Sequence, residues 1–119
     1  DTYISINPQR LTEIISNLLD NAIKYNRPNG QVEITHEKSD SFIKTIITDT
    51  GLGIAPENLE KVFSPYFRVD PNGKIPGSGL GLFSVKQLTE EEGGSISVES
   101  KLGEGTKFTL SFPLQNPAK

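Results

Sequence analysis

NPQRLTEIISNLLDNAIKYN, Asn7 to Asn26, carries the clearest periodicity in the chain. Asn7 is a good N-cap, and Pro8 suits the first helical position, where no backbone N–H is needed. Leu11, Ile14, Ile15, Leu18, Leu19, Ala22 and Ile23 then recur at helical spacing, which predicts an amphipathic helix of about four turns. At about 100° per residue, Asn17, Asn21 and Lys24 fall together on the flank of the apolar stripe. Two amides and an ammonium there suit a hard cation and a polyphosphate. An ordinary solvated helix flank has the same composition, so the pattern alone leaves both readings open.

Working outward, "YISIN" alternates apolar and polar residues and predicts a strand at about residues 2–6. "NRPNGQ" ends the helix. "QVEITHEK" and "FIKTIITDT" are alternating runs joined by "SDS", which predicts a hairpin. "DTGLGIAPENLEKVF" reads as a Gly-rich turn and a short helix with Pro near its start. Residues 64–78 hold three Pro and two Gly, which predicts a long irregular loop. Residues 80–92 read as a second helix that Gly93-Gly94 stops. "SISVES" and "KFTLSFP" form a last hairpin across "KLGEG", and "LQNPAK", residues 114–119, reads as a frayed tail. The fold class is therefore α+β. The expected architecture is a two-layer α/β sandwich, a mixed and mostly antiparallel sheet of about five strands with helices on one face. Strand–helix–strand alternation is missing, which excludes a dinucleotide-binding fold.

Bulk composition narrows the function classes. The chain has 119 residues, enough for one domain spanning residues 1–119, and a formal net charge of −3. There is no Cys and one His, which excludes disulfides, thiolate metal sites and a multi-His metal centre. No basic face suggests nucleic acid, and no apolar run approaches a membrane span. The chain starts at "DTYISI" without Met, as an excised domain would.

Two further stretches carry chemistry. In "DTGLGI", Asp49 ends an apolar strand, with Gly51 and Gly53 following. A carboxylate there can accept from the exocyclic amine of adenine, and glycines let a ring approach the backbone. A strand end with a capped tight turn reads the same way. In "GSGLGL", Gly77, Gly79 and Gly81 precede the second helix. Exposed amides and the positive end of a helix favour an anion. The spacing is not that of a dinucleotide fingerprint or a P-loop.

Together, "SNLLDNAIKYN", "DTGLGIAP", "VFSPYFRVD" and "GSGLGL" resemble, in order and separation, the N box, first glycine box, F box and second glycine box of sensor histidine kinases. More broadly they resemble the ATP-binding fold shared by DNA gyrase, heat-shock chaperones, histidine kinases and a mismatch-repair ATPase (the GHKL superfamily). The resemblance covers roughly residues 3–113.

That resemblance implies ATP and Mg²⁺ as cofactors. It implies Asn21 as the Mg²⁺ ligand, Asn17 as support for the metal and phosphates, Lys24 as a phosphate contact and Tyr25 as packing against adenine. It places Asp49 on the adenine amine, with Gly51, Gly53 and Ile54 at that pocket. Phe63 and Arg68 fall in the F box, the Arg near the γ-phosphate. Gly77, Ser78, Gly79, Leu80, Gly81 and Leu82 belong to the phosphate-binding end of a lid at about residues 64–79. Thr106, from the closing "G-x-G-T", reaches adenine through water. Asn17, Lys24 and Arg68 are the implied catalytic residues. Departures are few: Asn7 replaces the usual Asp cap, Tyr66 the second F-box Phe, and Glu92 the His of "HGG".

Gyrase-type ATPases carry a general-base Glu where this chain has Asn17. An amide is no base at neutral pH, and Glu13 lies a further turn away. This favours a kinase that keeps the γ-phosphoryl for another acceptor over a hydrolase. His36 sits in an alternating strand and lacks the context of a phosphoacceptor. The acceptor histidine is therefore expected on a helical dimerisation domain preceding residue 1, with a response regulator downstream. The isolated domain is expected to be monomeric and to lie on the cytoplasmic side of a parent that many relatives anchor in the cell membrane. A serine kinase of the anti-sigma type and a non-catalytic nucleotide sensor are the alternatives.

Overall fold

A computed structural model describes residues 3–65, 67 and 81–115. Helix α1 spans Pro8–Lys24, strand β1 Val32–Lys38, strand β2 Phe42–Asp49, helix α2 Gly81–Glu91, strand β3 Ser95–Lys101 and strand β4 Gly105–Pro113. A 3₁₀ helix, Pro56–Lys61, follows the turn after β2.

The start of α1 is fixed locally. The Asn7 side chain accepts from the Gln9 amide at 2.9 Å and the Arg10 amide at 3.3 Å. These are orphan donors of the first turn, which Pro8 leaves one fewer to satisfy. Ile14, Leu18 and Ala22, spaced i, i+4, i+8, are buried and face the sheet. Ile23 does not join them; it is 67% exposed, on the far edge of the apolar stripe.

The sheet order is β1-β2-β4-β3, and every pairing among the described residues is antiparallel. Register puts Ile47 opposite Phe108 and Val98 opposite Phe108 on the other side. Side chains alternate across a strand, so Ile47, Phe108, Leu110 and Phe112 meet α1 and α2 on one face. The result is the expected two-layer α+β sandwich with both helices on one side.

One expected element is absent. Residues 3–7 form no strand, so the described sheet has four strands rather than five and is not mixed. The alternation is real: Ile4 and Ile6 pack on the core while Tyr3 and Ser5 stay exposed. But the Gln115 amide donating to Tyr3 O at 2.7 Å is a single bond beyond the end of β4, not a ladder. A period of two reports which side chains face inward, and does not supply a partner strand.

At the other end of α2, the Gly94 amide donates to Thr89 O at 2.9 Å, closing the helix. Glu92 ties the two helices together. Its Oε1 accepts from the Asn7 amide at 2.8 Å and its Oε2 from Arg10 Nη1 at 3.3 Å. No described helix is long and apolar enough to cross a membrane.

Candidate functional site

The sheet register assembles the polar end of the core. Asp49 closes β2 directly opposite Thr106 of β4, and Thr106 is directly opposite Ser100 of β3. All three lie on the helix-facing side, in line with Ile47, Phe108 and Val98. The apolar face therefore ends in a row of three polar side chains from three adjacent strands.

Asp49 is 9% exposed. Its Oδ1 accepts from the Gly51 amide at 2.8 Å and the Thr106 amide at 3.2 Å. Burial raises its pKa above the ordinary value of 3.8, and the two amide bonds act in the opposite direction without cancelling that effect. A carboxylate held this way is directed by its backbone and poorly solvated. It is suited to accepting from a donor that enters the cleft.

The turn after Asp49 requires glycine for two packing reasons. A Cβ on Gly51 would collide with the carbonyl oxygen of Tyr25. Gly53 has φ +73°, and a Cβ there would collide with the carbonyl oxygen of Lys101. The loop is thus pressed against the end of α1 on one side and the β3–β4 turn on the other.

Asn21, Tyr25, Asp49, Gly53, Ile54, Leu82, Thr106 and Phe108 line a cleft of about 340 Å³, its open mouth included. Seven of these were singled out in the sequence; Phe108 was not. Its ring forms the floor, with Phe63 packed edge-to-face behind it at 6.2 Å between centroids. Phe63 supports the floor and does not line the cleft; Lys86 Nζ lies over the Phe63 ring, 5.4 Å from its centroid.

Ser100 was also missed. Its hydroxyl donates to Gly105 O at 2.8 Å, accepts from the Ile54 amide at 2.8 Å and lies 2.8 Å from Thr106 Oγ1. A hydroxyl has one proton. With that proton on Gly105 O, the Thr106 hydroxyl donates to Ser100 and keeps its own lone pairs for a visitor. The available signal was "SISVES", in which Ser100 occupies an inward position after Ile96 and Val98.

The polar edge of α1 borders this pocket at Asn21. Asn17, Asn21 and Lys24 are all half-buried, on one line. Asn17 Oδ1 would lie 3.8 Å from a Cβ at Gly81, so the start of α2 faces the same edge. Lys24 Nζ pairs with Asp20 Oδ2 at 3.2 Å, at the rim. Arg68, Gly77, Ser78, Gly79 and Leu80, and with them nearly all of the expected lid, lie outside the described residues. Among the described residues no three His, Cys, Asp or Glu side chains gather as a metal cage. His36 is exposed, with Nδ1 3.0 Å from Thr45 Oγ1.

Comparison with known proteins gives the same answer at three levels. Residues 6–116 match the family described as histidine kinase-, DNA gyrase B- and HSP90-like ATPase. The sensor protein SrrB of Staphylococcus aureus (strain NCTC 8325 / PS 47) is 44% identical over 112 residues, which are 92% of this chain and 19% of SrrB. This chain thus spans about a fifth of that relative. The mycobacterial sensor histidine kinase MprB superposes with a TM-score of 0.87 at 32% identity, covering 96% of this chain and 78% of that structure. The catalytic domain of histidine kinase ThkA superposes with a TM-score of 0.78 at 31% identity, covering 92% and 71%. Full-length ShkA, solved in complex with AMPPNP, does so with a TM-score of 0.78 at 31% identity, covering 90% and 22%. The chain belongs to the histidine kinase-, DNA gyrase B- and HSP90-like ATPase family, and within it to the catalytic domains of sensor histidine kinases.

Proposed function

We propose that this domain binds Mg-ATP and delivers its γ-phosphoryl group to a histidine on a separate helical dimerisation domain of the same parent. It would act as the catalytic part of a two-component sensor kinase. The observation that carries the reading is the buried Asp49 carboxylate, aimed by two amides in a cleft that Asn21 of α1 also lines. ShkA, a relative of the same fold, was solved with AMPPNP, an ATP analogue.

In this reading adenine enters between Tyr25, Ile54 and Leu82, over Phe108. Its exocyclic amine donates to Asp49, and Thr106 holds a water against the ring. Gly51 and Gly53 keep side chains out of the approach. The triphosphate then runs along α1 toward the start of α2, past Asn17 and Lys24. Gly77, Ser78, Gly79, Leu80 and Gly81 would contribute backbone amides, and Arg68 would meet the γ-phosphate. The donor set suits Mg²⁺: Asn21 offers one neutral oxygen, and Mg²⁺ takes most of its other oxygens from phosphates and water. When bound, Mg²⁺ would neutralise charge on the phosphates.

The protein's part in the transfer is positioning and charge stabilisation. An imidazole nitrogen of the partner domain attacks γ-phosphorus in line, the bond to the β–γ bridging oxygen breaks, and ADP leaves. Lys24 and Arg68 balance the charge on the departing oxygens. Asn17, an amide, does not activate water, which preserves the phosphoryl group for the histidine.

The test is a mixing assay. The domain, [γ-³²P]ATP and the histidine-bearing domain of the parent should together give acid-labile label on the histidine, lost when Asn21→Ala removes the metal ligand. ATP binding with no label on any histidine would sink the kinase reading.

A further inference from the structure

Arg27 has no role in the nucleotide reading, yet its side chain makes three hydrogen bonds to backbone carbonyls beside the adenine cleft. Its Nε donates to Thr50 O at 2.5 Å, and its Nη2 donates to Gly51 O at 3.3 Å and Gly103 O at 2.6 Å. Among the described residues it has no acidic partner within ion-pair distance. A guanidinium that meets only carbonyl oxygens is acting as a rigid fork of donors, not as half of a salt bridge.

The three carbonyls belong to two different walls. Thr50 and Gly51 follow Asp49 directly, and Gly103 is the tip of the β3–β4 turn. Among the described residues the walls are also joined by the Gly103 amide donating to Leu52 O at 2.8 Å, the Ile54 amide donating to Ser100 Oγ at 2.8 Å and the Thr106 amide donating to Asp49 Oδ1 at 3.2 Å. Of these contacts, the Gly103 amide bond and those of Arg27 alone hold the tip of the β3–β4 turn. Arg27 itself is held from below. Pro28 and Asn29 form the centre of a turn closed by the Gly30 amide donating to Arg27 O at 2.9 Å, with Asn29 at φ +62°. Thr50 Oγ1 accepts from the Gln31 amide at 2.8 Å and donates to Asn26 Oδ1 at 3.1 Å, fixing the same loop.

We infer that Arg27 is a positioning residue for base recognition: its fork sets the distance between the Asp49 turn and the β3–β4 turn, and so fixes where the Asp49 carboxylate meets the base. This rests on the adenine reading of the cleft. Arg27 does not line the cleft. It acts through Thr50 and Gly51 on Asp49, one peptide away. A misplaced carboxylate costs most where it makes a directional contact, so the loss falls on recognition of the exocyclic amine. Inosine nucleotides carry a carbonyl in place of that amine and have no such contact to lose.

The experiment measures dissociation constants of ATP and ITP, with Mg²⁺, for the 119-residue chain and for Arg27→Ala and Arg27→Lys. The wild type should prefer ATP. In Arg27→Ala the ATP affinity should fall about 10-fold while ITP changes little, so the preference shrinks by a similar factor. Arg27→Lys, whose single ammonium cannot span all three carbonyls, should fall between. If Arg27→Ala melts below the assay temperature, Arg27→Lys carries the test with the same two readouts. An unchanged preference, whether both affinities hold or both fall together, overturns the positioning role and leaves the nucleotide reading standing. A wild type that binds neither nucleotide, or binds both equally, overturns the adenine reading itself and this inference with it.

Discussion

Asp49 on β2 and Thr106 on β4 stand directly opposite each other, and the Thr106 amide donates to Asp49 Oδ1 at 3.2 Å. The Gly51 amide takes the same oxygen at 2.8 Å. The fold thus spends two backbone donors on orienting one buried carboxylate, an arrangement with little structural benefit unless the second oxygen has work to do.

Asp49→Asn tests this. An Asn side chain can keep its carbonyl oxygen on the two amides, which turns its NH₂ toward the base. Donor would then face donor. ATP affinity should fall about 100-fold, in line with the cost of an unmade buried hydrogen bond, while the melting temperature holds or rises because no charge is buried. Calorimetric titration and thermal denaturation check the two halves. Equal loss of stability and binding would make Asp49 a structural residue.

The pH dependence should split in the same way. Burial holds the Asp49 pKa above its ordinary 3.8, so in that window the folded state binds more protons than the unfolded one. Stability from this group is full below 3.8 and is lost as pH rises through the folded value. ATP affinity should move the other way, rising through that folded value as the acceptor ionises. Wild-type melting curves, less those of Asp49→Asn, should decline with pH where binding improves. A difference that grows with pH contradicts the assignment.

Ser100→Ala should cost about 1–3 kcal/mol of stability, because it strips the Ile54 amide and Gly105 carbonyl of their shared partner. Urea denaturation measures it. It should also weaken ATP binding several-fold, since Thr106 loses the neighbour that fixes its hydroxyl. A loss of stability under about 0.5 kcal/mol, the usual size of a neutral surface change, would remove Ser100 from the site.

The residues found late share a cause. Asn7, the α1 stripe, Asp49 and the two hairpins were legible because each is written in neighbouring residues: a cap beside Pro8, a 3.6-residue period, a strand running into Gly51. Ser100, Phe108 and Arg27 matter through partners 46, 45 and 76 positions away, namely Ile54, Phe63 and Gly103. Nothing local marks them. The strand expected at residues 2–6 failed for the complementary reason. Its alternation correctly placed Ile4 and Ile6 inward, but a strand also needs a partner edge, which no local pattern reveals.

Glu92 joins the start of α1 to the end of α2 through both of its carboxylate oxygens, which accept from the Asn7 amide and from Arg10. Glu92→Gln keeps the Asn7 bond and loses only a half-exposed ion pair, so it should cost under about 1 kcal/mol. Glu92→Ala loses both and should cost about 1–2 kcal/mol. Equal effects of the two variants in urea denaturation would mean the amide bond contributes nothing.

Lys24 offers the last test, because its partner in the fold competes with its proposed ligand. Lys24 Nζ lies 3.2 Å from Asp20 Oδ2, one turn earlier on α1, and the Asp20 side chain is 61% exposed. Such a pair is worth about 0–1 kcal/mol and is easily given up to a triphosphate. Asp20→Ala removes the competitor and a negative charge from the path of the phosphates. ATP affinity should therefore hold or rise by up to about 5-fold, and more at low salt than at high salt. Lys24→Gln should do the reverse, and only for ligands that carry phosphates, so adenosine binding stays as it was. If adenosine and ATP lose affinity equally in Lys24→Gln, the lysine acts through the helix and not on the phosphates.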